Sequence, residues 1–387
     1  MSVSSAPAAT RFGFVFALWG AGLGAAAQYA KISVIFEPLG DHYGQEGAAL
    51  GLLVSAVGVI GILLGVVAGI IVTRLTLRRA MLIGLILGGV LSLYQATLPS
   101  LSLFIASRVV EGVSHLLIVV AAPTLIAQAS SLRGRGFTLT LWGTFFGVSF
   151  TLLILLGLPL VEALGLPALF VAHGLYMFVF AGGLWRVLGP DRPADTALKL
   201  SSVLSQHAAI YRSPRKNAAG LGWLFYTFCF VTTVTFLPGF IEEDIRRAVA
   251  AAMPLVSIIA SLTIGVALLS VMSAVSATML AFLTGAVLAL ALIVVPGSPV
   301  LALGFTAALG IIQGSSFAVV PELNESLEDR AQGNGAMAQT GNVGNSLGTP
   351  VIAALLAGAG YDAMMAALAL SLACGFGIHL WMAVLRR

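Results

Sequence analysis

The sequence predicts an all-α membrane protein made of two pseudo-symmetric six-helix bundles. Three observations predict it: a composition too poor in charge for a soluble surface, twelve apolar runs of spanning length, and a glycine and proline repeat at an offset near 200 residues.

Of the 387 residues, 59% are hydrophobic and 9% are charged, and the mean hydropathy is +1.04. A soluble domain carries about 25% charged residues because it must wet its whole surface. The outer surface of this chain must therefore face lipid, so a nucleic-acid partner is not expected despite the net charge of +4. Cys229 and Cys374 sit in apolar runs, with neither a disulfide framework nor metal-ligand spacing. They read as small packing residues. Met1 to Thr10 has no basic region, and the apolar run from Phe12 is too long for a signal-peptide core. That run is expected to stay as the first spanning helix.

Crossing the hydrocarbon core takes about 20 mostly apolar residues. The runs cover roughly 12–37, 48–72, 79–98, 101–127, 137–161, 167–188, 217–240, 249–271, 274–295, 299–321, 334–358 and 363–384. Pro38-Leu39-Gly40-Asp41, Leu132-Arg133-Gly134-Arg135-Gly136 and Pro296-Gly297-Ser298-Pro299 punctuate them.

The basic residues orient the chain. With the N-terminus inside, Lys31 and Arg108 lie within helices and Arg246 and Arg247 lie outside; the remaining 15 of the 19 Lys and Arg are cytoplasmic. This positive-inside bias places both termini in the cytoplasm. The longest polar segment carries Arg192, Lys199, Arg212, Arg215 and Lys216 and reads as a solvated linker with a surface helix near Leu198 to Tyr211. The expected organisation is a cytoplasmic N-terminus over 1–11, a bundle over 12–188, a linker over 189–216 and a bundle over 217–385.

Internal repetition supports two halves. Gly20, Gly22, Phe36 and Pro38 match Gly220, Gly222, Phe236 and Pro238 at an offset of 200. Gly112 and Pro123 match Gly310 and Pro321, Gly134 and Gly136 match Gly333 and Gly335, and Gly143 matches Gly341. Any one match is weak, but the near-constant offset across several helix pairs is not.

Local motifs then point to a family. Gly69-x-x-x-Thr73-Arg74-x-Thr76-x-Arg78-Arg79 lies between the second and third runs. Arg108-x-x-Glu111-Gly112 lies in the fourth, and Gln339-x-Gly341-Asn342-x-Gly344-x-x-x-Gly348-x-Pro350 in the eleventh. These resemble motifs of the major facilitator superfamily, and their texture is similar to bacterial small-solute carriers of the cyanate and nitroimidazole-resistance type. Thr73 stands where that family has Asp, and Thr76 where it has Gly. The resemblance implies a gating loop at Arg74, Arg78 and Arg79, a central cavity lined by helices 1, 4, 7 and 10, and alternating access between the halves.

The chemistry-bearing residues are few. An ionisable group deep in a spanning helix costs at least about 2.5–3.5 kcal/mol on insertion scales, so it faces a bundle interior or a wet cavity. Of fifteen acidic residues, Glu111 alone falls deep within a run. Arg108, Glu111 and His115 are spaced i, i+3 and i+7, along one helix face. They read as a proton-coupling group, or as a charge-neutralised packing pair with a core histidine. Lys31 either snorkels to the outer interface or shares the cavity with Arg108. In the second case two cations face one acid, which favours an anionic substrate. Gln28, Tyr29, Trp223, Tyr226 and Gln313 are the further substrate-contact candidates, with Gln313 at the repeat position of His115. Asn342 and Asn345 are expected to bond across helices, and Gly143 to Gly147 and Gly341 to Gly344 to form close-packing faces.

No nucleotide-binding loop, catalytic serine elbow or metal cluster is present. The expected function is a monomeric proton-coupled symporter for a small anionic organic solute in the bacterial inner membrane, without cofactor or enzymatic activity. Drug or metabolite efflux, and a non-transporting sensor or assembly factor of the same fold, are the competing readings.

Overall fold

The computed structural model describes residues 9–65, 68–131, 134–189, 208–325 and 327–386. Arg133, Arg192, Lys199 and Arg387, and most of the expected linker, lie outside the described residues. So do the side chains of Thr73, Arg135 and Arg330. Among the described residues every regular element is helical. The helices are α1 (Phe12–Val34), α2 (Phe36–Tyr43), α3 (Gly47–Leu64), α4 (Ala68–Leu75), α5 (Leu77–Gln95), α6 (Leu101–Ala129) and α7 (Arg135–Gly143). They continue as α8 (Phe145–Leu164), α9 (Leu166–Val187), α10 (Ala218–Phe240), α11 (Glu243–Val271), α12 (Ala274–Val294), α13 (Pro299–Leu323) and α14 (Leu327–Leu385). Residues 208–212, at the end of the expected surface helix, are helical.

Among the described residues, eleven segments are long and apolar enough to cross a membrane. The last of them, Gln332–Leu385, has 54 residues; as one straight helix it would reach ~80 Å, far beyond a bilayer's ~30 Å core. It is two helices joined at Gly360, whose φ of 79° only glycine adopts without strain.

Several boundaries differ from the sequence expectation. The first run breaks at Ile35 (φ −111°, ψ 27°), where α1 gives way to α2, and Gly44 caps α2 in the left-handed region. The eighth run starts at Glu243 rather than 249, so Arg246 and Arg247 lie in the first turns of α11 instead of a loop. There Glu243 and Asp244 complement the helix N-terminus.

By packing, the chain forms two compact units: residues 1–34 with 67–198, and residues 35–66 with 199–387. Repeat matching and packing thus divide the chain differently, because α3 packs along α14. A Cβ on Gly51 would meet Pro350 backbone at 2.5 Å, and one on Gly61 would meet the Asn342 side chain at 2.3 Å. Ser55 Oγ donates to Asn345 O at 3.0 Å, and Ser346 Oγ donates to Ser55 O at 3.2 Å. Asn342 does not bond across helices as expected: its Nδ2 donates to Ala338 O on its own helix. Gly341, Gly344 and Gly348 do form a close face, against Trp223, Thr227 and the Phe228 carbonyl of α10. Gly143 does not, since nothing stands within 4 Å of its Cβ position.

In the first unit, α1 is the central helix. Its small residues let neighbours approach: Phe180 occupies the space a Cβ on Gly20 would need, and Trp142 that of Gly22. Side chains from three surrounding helices then donate to its carbonyls. Tyr176 Oη reaches Gly20 O at 2.7 Å, Ser149 Oγ reaches Leu23 O at 3.0 Å, and His115 Nδ1 reaches Ala25 O at 3.0 Å. Such bonds satisfy polar groups that lipid cannot.

Candidate functional site

The first unit encloses a charged network at the contact of α1, α5, α6 and α9. Lys31, Arg108 and Glu111 are each 0% exposed. Lys31 Nζ lies 2.8 Å from Glu111 Oε1, and Arg108 Nη1 donates to Glu111 Oε2. The same Oε2 accepts from Gln95 Nε2 at 2.8 Å. Both carboxylate oxygens are therefore engaged by cations from two helices. Arg108 Nη2 also donates to the Gln28 carbonyl, which ties α6 to α1.

Lys31 does not snorkel. Its ammonium points into the unit, where it also donates to Ser92 Oγ at 3.1 Å and meets His173 Nδ1 at 3.3 Å. The pull of Glu111 and these acceptors replaces the water that snorkelling would have reached. Counted formally, two cations and one carboxylate leave the network at +1.

The other expected residues take varied places. Gln28 is buried and its Nε2 donates to Ser114 Oγ at 2.7 Å, while its Oε1 has no partner. Tyr29 is buried with an unpartnered Oη, and its ring meets His115 edge-on at 5.2 Å. His115 sits one turn beyond Glu111 and bonds to the Ala25 carbonyl of α1. Trp223 and Tyr226 lie in the second unit with ring centroids 4.5 Å apart, and Gln313 is half-buried there on α13.

His173, Ser92 and Gln95 complete the network and were not singled out from the sequence. A signal was available for His173, an ionisable residue in the middle of an apolar run. Ser92 and Gln95 carry no such signal, because short polar residues are common in spanning helices.

In the expected gating loop, Arg78 stacks over the Trp185 ring at 5.1 Å and donates to Trp185 O at 3.3 Å. Arg74 and Arg79 are exposed. Thr76 caps α5 by accepting from Arg79 N at 3.3 Å, and it does so at φ 77°. A β-branched residue thus keeps the backbone conformation that glycine adopts freely.

A cavity of about 780 Å³ lies in the second unit beside Glu37, Asp41 and Glu46. Those carboxylates are exposed at helix ends. Their place there needs no ligand, whereas an ionic network buried in apolar helices does need explaining.

Residues 12–348 match the sequence profile of the Major Facilitator Superfamily. The chain belongs to that superfamily. Among solved structures it is similar to a bacterial homolog of the human lysosomal transporter Spinster. Its inward-facing occupied form aligns with a TM-score of 0.72 at 14% identity over 97% of each chain. The unoccupied inward-facing form gives 0.72 at 14% over 96% of each. At that identity the likeness shows the fold alone. No curated protein matches the sequence. As a member of the Major Facilitator Superfamily the chain is a multi-pass membrane transporter working by alternating access, not an enzyme, and it acts on a small-molecule substrate.

Proposed function

We propose that the protein is a proton-coupled symporter for a small anionic organic solute in the bacterial inner membrane. It crosses the membrane twelve times with both termini cytoplasmic, and it works as a monomer. The Gly360 break and the positive-inside pattern support this topology.

The observation that carries the reading is the buried network of Lys31, Arg108 and Glu111, with two cations sharing one carboxylate. A site of net charge +1 inside apolar helices lacks one negative charge. A substrate carboxylate supplies it and competes with Glu111 for the two cations. Glu111, displaced from its cations, is then free to take a proton, so that substrate and proton move together. Arg108 tunes that exchange, His115 sits one turn further along the same face, and Lys31 attracts the anion. Gln28, Tyr29, Trp223, Tyr226 and Gln313 supply polar and aromatic contacts to the organic body. Arg74, Arg78 and Arg79 serve the gating loop.

The test starts with a thermal-shift panel on the purified protein, using acetate, lactate, benzoate and citrate against choline and betaine. The best stabiliser is then supplied to proteoliposomes under an imposed pH gradient. Anions should stabilise the wild type more than Lys31→Met, and Glu111→Gln should lose gradient-driven uptake. Unchanged uptake and pH dependence in Glu111→Gln would sink the coupling reading. Equal stabilisation of wild type and Lys31→Met by anions would sink the anion reading.

A further inference from the structure

His173 joins the buried network through both ring nitrogens, and its hydrogen-bond geometry defines a role for it. Its Nε2 stands 2.9 Å from Gly24 O. A carbonyl only accepts, so Nε2 carries the hydrogen. Its Nδ1 stands 3.3 Å from Lys31 Nζ and 2.9 Å from Ser92 Oγ. An ammonium only donates, so a neutral ring accepts at Nδ1. Ser92 gives its one hydrogen to Phe170 O at 2.9 Å, which leaves the Nδ1 lone pair to Lys31. The Lys31 ammonium has three hydrogens and finds three acceptors: Glu111 Oε1, Ser92 Oγ and His173 Nδ1. A buried ammonium is stable only when its hydrogens are matched in this way.

We propose that His173 is a positioning residue that holds the Lys31 ammonium on Glu111, with its ring fixed for that task by the Gly24 carbonyl. The regulatory consequence rests on the proton-coupling reading. A proton added at Nδ1 removes the acceptor and sets a second cation against Lys31, so the charge on His173 decides whether Lys31 stays with Glu111. The charged and titratable groups around the ring are Lys31 on α1, Glu111 and Arg108 on α6, and Tyr176 on its own helix. From α5 the ring meets Ser92, and from α8 Ser149 lines the same cavity as His173; neither serine ionises. His173 also lines a cavity of about 310 Å³ bounded by α1, α8 and α9. His173 is itself buried, at 5% exposure, whereas Lys31, Arg108 and Glu111 are wholly covered.

Lys31, Lys199 and Lys216 are the three lysines of the sequence, which makes the contact directly observable. Full-length protein in lipid nanodiscs, labelled with nitrogen-15 at lysine or histidine, is measured by NMR; Lys31→Met and His173→Asn assign the signals. The Lys31 ammonium hydrogens should exchange slowly in wild type. In His173→Gln the amide stands toward Nε2 and leaves no acceptor at Nδ1, so exchange should speed up about tenfold or more, the factor for one lost bond to a charged group. His173→Asn places its amide oxygen near the Nδ1 position and should keep exchange slow. Equal exchange in the two variants, or none faster than wild type, overturns the proposal. If neither variant folds, the histidine spectrum decides, with the His173 signal isolated by replacing His42, His115, His207 and His379: hydrogen on Nε2 with a hydrogen-bonded Nδ1 supports it, and hydrogen on Nδ1 overturns it. These readouts are independent of uptake. A failed Glu111→Gln transport test leaves the Lys31 contact standing, and a failed exchange test leaves the coupling reading standing.

Discussion

Lys31 Nζ and Glu111 Oε1 lie 2.8 Å apart with both side chains wholly buried, and Arg108 binds the other oxygen of the same carboxylate. The ion pair joins α1 to α6, whereas Arg108 and Glu111 share one helix. The three charges therefore act as a unit, and single substitutions will not add.

Removing the shared acid leaves two buried cations facing each other. Glu111→Gln should destabilise the protein by about 3–5 kcal/mol, the range for breaking a buried pair. Lys31→Met should cost less, because Glu111 keeps Arg108 and Gln95. The double variant Lys31→Met with Glu111→Gln should melt above Glu111→Gln alone, since it carries one unpaired cation instead of two. Thermal melting of the four proteins in detergent completes this cycle. Additive shifts would show that the charges are not coupled.

The legibility of this site in the sequence was uneven for a physical reason. Lys31, Arg108 and Glu111 stood out because a charge in an apolar run is conspicuous. Pairing across helices is not written in spacing along one helix. Lys31 was thus equally consistent with the outer interface, and His173 and Gln95 went unnoticed. The fold shows the same contrast. Glycine and proline mark the turn at Pro296 to Pro299 and the break at Gly360, whereas the break at Ile35 comes three residues before the nearest such residue, Pro38. Repeat matching assigned α3 to the first half, while its glycines pack on α14 of the second unit.

Thr76 holds φ 77° at the start of α5. A β-branched residue in that region carries about 1–3 kcal/mol of strain, and glycine replaces a threonine cap at a cost of only a few tenths. Thr76→Gly should therefore raise stability by about 1 kcal/mol and raise the melting temperature. Thr76→Val keeps the strain and loses the hydroxyl that accepts from Arg79 N, so it should melt below wild type. An unchanged melting temperature in Thr76→Gly would argue against strain at this turn.

The helix N-terminus of α12 is served by a carboxylate from α13. Glu322 accepts from Ala274 N and Val275 N, the first amides of α12. These amides have no partner within their own helix, and the acid also faces the positive end of the helix dipole. Glu322→Ala should cost about 1–2 kcal/mol, as for loss of a helix cap, and Glu322→Gln less. Hydrogen exchange should rise first at residues 274–277, and a rise spread evenly over the chain would contradict this local role.

Two glycines of the internal repeat, Gly310 and Gly143, should respond oppositely to a methyl group. A Cβ on Gly310 would run into the Ser257 carbonyl oxygen, which belongs to the backbone of α11 and cannot rotate away. Gly310→Ala must push α13 from α11, at a cost of about 1–3 kcal/mol or more. Gly143 has nothing within 4 Å. It ends α7 without a positive φ, so Gly143→Ala should be neutral or gain up to about 1 kcal/mol from helix propensity. Comparing melting temperatures of the two variants under one condition separates packing from propensity. Equal losses would mean that close approach at Gly310 is not what holds α11 to α13.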